Sequence, residues 1–269
     1  MKDKILFFII QLISFFPYKL INKIITILNY SIGKGFYHCT EPSVKNEVKC
    51  ISKLIQKKIK VIFDVGVNIG LYTDHCIKIY PNAKYFLFEP NYKNFNFLKE
   101  KYKILDNVKI YNYAISDKNK KNGILYSNFN GSGYASLIRR NLLHRKINMK
   151  KIKENIKTIT LENFIIKNKI KNIDLCKIDV EGLELNVLQG INKKINIVNL
   201  IQFEISSGQI ECKNYFKDFW YFFKENGYQI FIITPSGPQI IENYNERYEF
   251  FNETNYIALK NKFSEIIQS

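Results

Sequence analysis

From residue 60 onward, short apolar runs alternate with segments whose apolar residues recur every three or four positions. Lys60–Val65, Lys84–Glu89, Val108–Ile115, Ile173–Val180, Val198–Ile205, Tyr228–Thr234 and Asn255–Leu259 read as strands. Gly70–Tyr80 (stopped by Pro81), Tyr92–Tyr102, Glu184–Gly190 and Phe216–Asn226 (closed by Gly227) read as helices. Strands alternating with helices of this length predict an α/β fold, a mostly parallel sheet wrapped on both faces. Such sheets bind ligands beyond the carboxyl ends of their strands, where the strand order reverses. The residues just after each strand are therefore the candidates for chemistry.

Two stretches fall outside this rhythm. The run Ile5 to Tyr18 holds 14 residues without a charge and ends at Pro17 and Lys19. That is too short to cross a bilayer as a helix, and no small-residue cleavage site follows it. It predicts a pair of helices, the second over Leu20–Tyr30 with lysines on one face. Residues 1–35 would then pack on the domain or touch an anionic membrane surface peripherally. The second stretch, at about 129–155, opens on Gly131, Ser132 and Gly133 and turns strongly basic. The expected organisation is a helical appendage over 1–45 and one domain over 46–269 that carries this basic insertion. The glycines allow hinge-like movement over a bound ligand, and Arg139, Arg140 and Arg145 would meet a phosphate or carboxylate on it. A basic loop without a fixed role is the equal alternative. His144, in the same stretch, reads as solvated surface.

Composition adds limits rather than a function. A chain of 269 residues with 46% hydrophobic and 24% charged residues is globular. The net charge of +17 could serve nucleic acid, an anionic membrane or an acidic substrate. Its lysines, however, are spread along the whole chain among isoleucines and asparagines, as a solvated surface would have them. Cys39, Cys50, Cys76, Cys176 and Cys212 have no metal-ligand spacing and are odd in number. A reducing, cytoplasmic setting, with peripheral membrane association, is the expectation.

The chemistry begins at residues 62–71, IFDVGVNIGL. A dinucleotide turn would place glycine where Asn68 stands and again where Leu71 stands. A pyrophosphate is thus disfavoured, while an anion at the helix start is not. S-adenosylmethionine, with one carboxylate, an amine and a ribose, suits such a turn. The next strand ends at Glu89, nineteen residues beyond Gly70, where a carboxylate can accept from both ribose hydroxyls. Glu89 could instead cap the helix that begins near Asn91. In the fourth strand alternation puts Lys177, Asp179 and Glu181 on one side, and the fifth ends in Glu204. Asp179 and Glu204 side by side could ligate a divalent cation, or one could be a general base toward a hydroxyl. The alternative is an ion pair of Lys177 with Glu181, and Asp179 capping the following helix.

Taken together, VIFDVGVNIGLYT, FLFEPN, YNYAISDKN, TITLENFI, IDLCKIDVEGLELNVLQG and NYIALK resemble the FkbM family of S-adenosylmethionine-dependent methyltransferases, from about Lys60 to Leu259. The resemblance implies a class I methyltransferase (Rossmann-like) fold with a seven-stranded, mostly parallel sheet. It also implies O-methylation of a hydroxyl on a sugar, glycan intermediate or small natural product. By the same resemblance Asp64, Gly66, Asn68 and Gly70 line the methionine end of the cofactor and Glu89 holds its ribose. Ala114, Ile115, Ser116 and Asp117 border the adenine, and Asp179 faces the transferred methyl. Asp179 is the expected base and Glu204 the second choice, with Mg²⁺ shared between them as the variant mechanism. Val67 departs from the alanine common in the family. An anionic glycan or small molecule is the expected acceptor. RNA ribose methylation is the first rival, but carboxylates at the site would repel a phosphate backbone, so nucleic acid is disfavoured. A non-catalytic scaffold at the membrane surface is the second.

Overall fold

The computed structural model of the protein describes residues 2–35, 40–55 and 58–261; Cys39 lies outside them. Three helices come first: α1 (Lys2–Ser14), α2 (Tyr18–Ser31) and α3 (Glu41–Leu54). Then follow β1 (Val61–Val65), α4 (Leu71–Ile79), β2 (Lys84–Phe88), α5 (Tyr92–Lys101) and β3 (Val108–Tyr111). The middle of the chain forms β4 (Ala114–Ile115), β5 (Lys120–Ser127), β6 (Lys150–Ile159), α6 (Leu161–Lys167), β7 (Ile173–Ile178) and α7 (Glu184–Gln189). The last third forms β8 (Val198–Ile205), α8 (Gly208–Cys212), α9 (Phe216–Glu225), β9 (Tyr228–Thr234), β10 (Gly237–Ile241) and β11 (Thr254–Lys260).

The main sheet has eight strands in the order β10-β9-β11-β8-β7-β1-β2-β3. β3, β2, β1, β7 and β8 pair in parallel, and β11 runs antiparallel between β8 and β9. Seven of these strands make the expected class I arrangement. β10 is an added edge strand, folded back antiparallel on β9. The chain builds outward from β1 to β3 and then resumes on the other side of β1 with β7. The order therefore reverses between β1 and β7, and a crevice opens there at the carboxyl ends.

Strand alternation sorts the core into two layers. Phe63, Val65, Phe88, Ile178 and Phe203 face one side, covered by Phe164 of α6 and by Phe216, Phe219 and Phe223 of α9. The α9 residues lie three, four and seven apart, so one stripe of the helix is aromatic and buried. Each such ring contributes about 2–3 kcal/mol by leaving water. Ile62, Leu87, Leu175, Leu200 and Ile257 face the other side, covered by α3, α4 and α5.

The expected strand Val108–Ile115 divides in two. β3 stays in the main sheet, while Ala114 and Ile115 pair with Thr158 and Ile159 in a second sheet of order β4-β6-β5. Asn112 marks the break, its side-chain amide donating to the carbonyls of Glu89 and Pro90 at 2.9 and 3.0 Å. The basic stretch is therefore not a free insertion. Its far end is β6, paired antiparallel with β5 through several register shifts. The boundary expected at residue 45 falls inside α3, whose Val44, Val48 and Ile51 are buried against the sheet. Two helices do form at the N-terminus, but no α2 residue is buried, and α1 is exposed from Lys4 to Ser14. Cys50, Cys76 and Cys176 are buried free thiols, and Cys212 is free and half-buried.

Candidate active site

β1 runs into a tight turn because Gly66 and Gly70 take left-handed backbone conformations, φ +89° and +83°. At Gly66 the reason is proximity: a Cβ would stand 1.8 Å from the carbonyl oxygen of Asp179. Asn68 also lies in the left-handed region, at φ 54°, which asparagine tolerates better than most residues. Its backbone N–H donates to Glu89 Oε2 at 2.8 Å, and its side-chain oxygen accepts from Asn94 Nδ2 at 3.0 Å. The turn is thus fastened to the carboxyl end of β2.

Beside it lies a cleft of about 560 Å³, lined by Gly66, Asn68, Glu89, Ala114, Ile115 and Asp179 on the sheet side. Its opposite wall is Ser132, Gly133, Ala135, Ser136 and Leu137. The glycine-rich start of the basic stretch therefore borders this cleft. Glu89 is buried, which pushes its carboxyl up to about 7 against the pull of the Asn91 and Asn68 N–H groups. Each of its oxygens accepts one backbone N–H at 2.8 Å, which leaves a lone pair on each for a ligand. Lining the cleft and steadying the chain into α5 are both done by this one side chain.

Four expected cofactor contacts lie elsewhere. Asp64 points to the α4 side, because Phe63 and Val65 occupy the other face of β1. Its Oδ2 accepts from Thr73 Oγ1 at 2.6 Å, its Oδ1 has no hydrogen-bond partner, and burial raises its carboxyl. Gly70 is the N-cap of α4 and lies beneath the Tyr102 hydroxyl, which donates to its carbonyl at 3.0 Å. Ser116 and Asp117 follow β4 out of the cleft. The Ser116 N–H donates to Ile159 at 3.2 Å, and its hydroxyl donates to Asp117 at 3.0 Å.

Two further cavities, about 610 and 840 Å³, adjoin the cleft and share Gly66, Asn68 and Asp179 with it. Both are also lined by Glu204. Glu47, Tyr72, Lys177 and Asn255 complete one wall; Tyr134, Glu181 and Glu253 complete the other. Lys177 Nζ stands 2.8 Å from Asp179 Oδ2. Burial works against the lysine's charge, but Asp179, Asp64 and Glu47 outweigh it and keep the ammonium charged. Lys177 thus pairs with Asp179 and not with Glu181, which binds Arg140 at 2.6 Å. Asp179 does not cap α7 either: Glu184 reaches back from that helix to the N–H groups of Val180 and Gly182.

Glu204 differs from its neighbours. Among the described residues no hydrogen bond or ion pair engages its carboxyl. Burial, then the nearby Asp179, Glu181, Glu253 and Glu184, push it well above the usual carboxylate range. Asp179 and Glu204 do face common cavities, as expected, but they do not suit a divalent cation. The Lys177 ammonium already occupies Asp179, and no grouping of three His, Cys, Asp or Glu side chains fit for a metal occurs among the described residues. The arginines are also committed. Arg140 is buried, bound to Glu181 and to the Tyr134 carbonyl, and Arg145 stands 3.6 Å from Glu253. Arg139 and His144 are exposed and line neither cavity.

Sequence reasoning missed Glu47. It lies on α3, its Oε2 accepting from Gln202 Nε2 at 2.6 Å, and burial pushes it up to about 7. A signal was present, since Glu47 sits between Val44, Val48 and Ile51 on the apolar stripe of its helix.

The sheet, the turn and the cleft agree with a match to the methyltransferase FkbM domain over residues 64–230, more than half of the chain. The chain belongs to the FkbM methyltransferase family. It is an S-adenosylmethionine-dependent methyltransferase. This FkbM methyltransferase is 25% identical to the 2-O-methyltransferase NoeI of Sinorhizobium fredii, over 60% of this chain and 69% of that protein. It is 30% identical to the hexuronic acid methyltransferase AglP of Haloferax volcanii, over 55% of this chain and 56% of that protein, so it spans little more than half of that relative. Among solved structures, the METTL16 MTase domain aligns with a TM-score of 0.47 at 11% identity, over 82% of this chain and 69% of that one.

Proposed function

We propose that this methyltransferase places a methyl group on a hydroxyl of a sugar that carries no negative charge, and that Glu204 takes the hydroxyl proton. The observation that carries the reading is the meeting of the cofactor cleft and the adjoining cavities at Gly66, Asn68 and Asp179, with the unpaired Glu204 facing that junction. The relative named for 2-O-methylation supports a hydroxyl as the acceptor group, and the relative named for hexuronic acid methylation supports a sugar as the acceptor. The cavity walls argue against an acidic sugar and against RNA. They carry Glu47, Asp179, Glu181, Glu204 and Glu253, and among the described residues the cations beside them are committed, Lys177 to Asp179, Arg140 to Glu181 and Arg145 to Glu253.

S-adenosylmethionine supplies an electrophilic methyl on a sulfonium, so the protein has chiefly to align an oxygen and remove its proton. Glu89 would accept from the ribose hydroxyls, Ala114 and Ile115 would flank the adenine, and Gly66 and Asn68 would border the methionine end. Lys177 holds the Asp179 carboxylate at the junction, where it accepts from and orients the acceptor hydroxyl. Asp179 is thereby a positioning group and Glu204 the better base, which reverses their expected order. A carboxyl whose proton affinity is raised by burial and neighbouring carboxylates accepts a proton more readily than an ordinary one. Its ionised form faces Asp179 and Glu181, and taking up the proton relieves that repulsion. No step requires Mg²⁺.

The test supplies isotopically labelled S-adenosylmethionine with neutral sugars, amino sugars, uronic acids and RNA in parallel, and locates the methyl by mass spectrometry. An O-methyl group on an uncharged or amino sugar, undiminished by a metal chelator, is the expected result. Transfer to RNA or to uronic acids alone would sink the proposal.

A further inference from the structure

We infer that α1 and α2 dock the protein on an anionic lipid bilayer, with the acceptor cavities held near the headgroups, so that the acceptor is a lipid-anchored sugar. The sugar rests on the function proposed above; the docking does not.

α1 is apolar around its whole circumference, with Leu6, Phe7, Phe8, Ile9 and Ile10 all exposed. A helix of that kind is normally covered, by protein or by lipid, and here the described residues leave it exposed. Its 13 residues reach about 20 Å, short of the roughly 30 Å hydrocarbon core. The chain then turns by 117° into α2. That helix is two-faced: Leu20, Ile24, Ile25 and Leu28 lie on one side, Lys19, Asn22, Lys23 and Thr26 on the other. An amphipathic helix with lysines on its polar face lies in the plane of a membrane interface. A steeply inclined apolar helix beside it inserts without crossing.

Charge selects the occupant. Up to Glu41 the sequence holds four exposed lysines, Lys2, Lys4, Lys19 and Lys23, against one acid, Asp3. This suits the negative potential of an anionic leaflet. A second copy of the same segment would bring like charges together.

Position supplies the functional half. The end of α2 is anchored at the carboxyl edge of the sheet. Lys34 donates to the Arg247 carbonyl and lies over the rings of Tyr248 and Phe250, at 5.6 and 5.5 Å. The Gly35 N–H donates to Thr254 Oγ1 at 3.3 Å. Thr254 opens β11, and the next residue, Asn255, pairs with Glu204 and lines an acceptor cavity. The docking helices therefore spring from the edge where the chemistry occurs. A lipid-anchored sugar can keep its phosphate among headgroups and lysines while its ring enters the carboxylate-lined cavity.

The experiment is flotation of the full chain with phosphatidylcholine vesicles, with and without phosphatidylglycerol, alongside S-adenosylhomocysteine calorimetry. The wild type should float with the anionic vesicles. The double variant Phe8→Glu, Ile24→Glu should stay at the bottom, and Lys19→Glu, Lys23→Glu should lose at least about thirtyfold in vesicle affinity. Both variants change exposed side chains, and both should bind S-adenosylhomocysteine as the wild type does. Methylation of an alkyl glycoside embedded in the vesicles should exceed that of the same glycoside presented without them. Wild-type protein that ignores anionic vesicles overturns the docking, most clearly if light scattering shows an oligomer that the Phe8→Glu, Ile24→Glu variant dissolves. Flotation with no gain for the embedded glycoside overturns the placement of the cavity. Loss of S-adenosylhomocysteine binding in the wild type strikes the methyltransferase reading alone.

Discussion

The cofactor cleft and the acceptor cavities share a wall but are built by opposite means. Most of the sheet side of the cleft comes from one stretch of chain: the turn at Gly66–Gly70, the end of β2 at Glu89, and the short β4. Backbone N–H groups do most of its fastening, as at Asn68 and Asn91. The cavities proposed for the acceptor draw on residues far apart in the chain, Glu47 on α3, Lys177 on β7 with Asp179 just after it, Glu204 on β8 and Asn255 on β11. Side-chain carboxyls do their work. A local, backbone-based site can be read from a motif, whereas a site made by folding distant charges together cannot.

That contrast can be broken by substitution. Glu204→Gln should lower kcat by about a hundredfold to ten-thousandfold, the range for losing a positioned base. Its S-adenosylhomocysteine affinity, measured by calorimetry, should not change. The wild-type rate should rise as pH climbs through the raised range of Glu204, and the variant should lose that rise. Equal loss of cofactor binding would mean that the two regions are one site. Glu89→Ala should do the reverse, weakening S-adenosylhomocysteine by about tenfold to a hundredfold for lost bonds to a charged acceptor.

The smallest effect belongs to Glu47. Its carboxyl goes from 4.5 to about 7 on burial, so between those values the folded chain binds more protons than the unfolded chain. Glu47 therefore contributes a stability that is full below about pH 4.5 and is lost as pH rises through about 7. Glu47→Gln should flatten that part of the curve by on the order of 1–2 kcal/mol, read from urea unfolding at about pH 5 and about pH 8. An unchanged slope would place the titration elsewhere in the polar layer.

Legibility in the sequence followed the same division. β8 and β9 are found with their expected ends because VNLIQFEI and YQIFIIT are rich in β-branched and aromatic residues and stop at Ser206-Ser207 and at Pro235. β5 and β6 were illegible, since KKNGILYS and KKIKENIKTI alternate irregularly and their pairing slips register. Asp64 was assigned to the cofactor by its place in the motif, although strand alternation, with Phe63 and Val65 packed on the other face, turns it away. The carboxylates Asp179 and Glu204 were visible at strand ends. The different tasks proposed for them were not, because that difference depends on Lys177 standing beside one of them and, among the described residues, no hydrogen-bond partner beside the other.

The pair of Arg140 with Glu181 has a consequence in time. Glu181 borders both the cofactor cleft and an acceptor cavity, and its backbone carbonyl accepts from Ser136 at 3.1 Å in the opposite wall of the cleft. Water displaced by an arriving acceptor no longer screens the two charges, and their attraction grows as the effective dielectric falls. On the proposed function, the pair then holds the wall closed while the acceptor is bound, and the expected order of release is methylated product first and spent cofactor second.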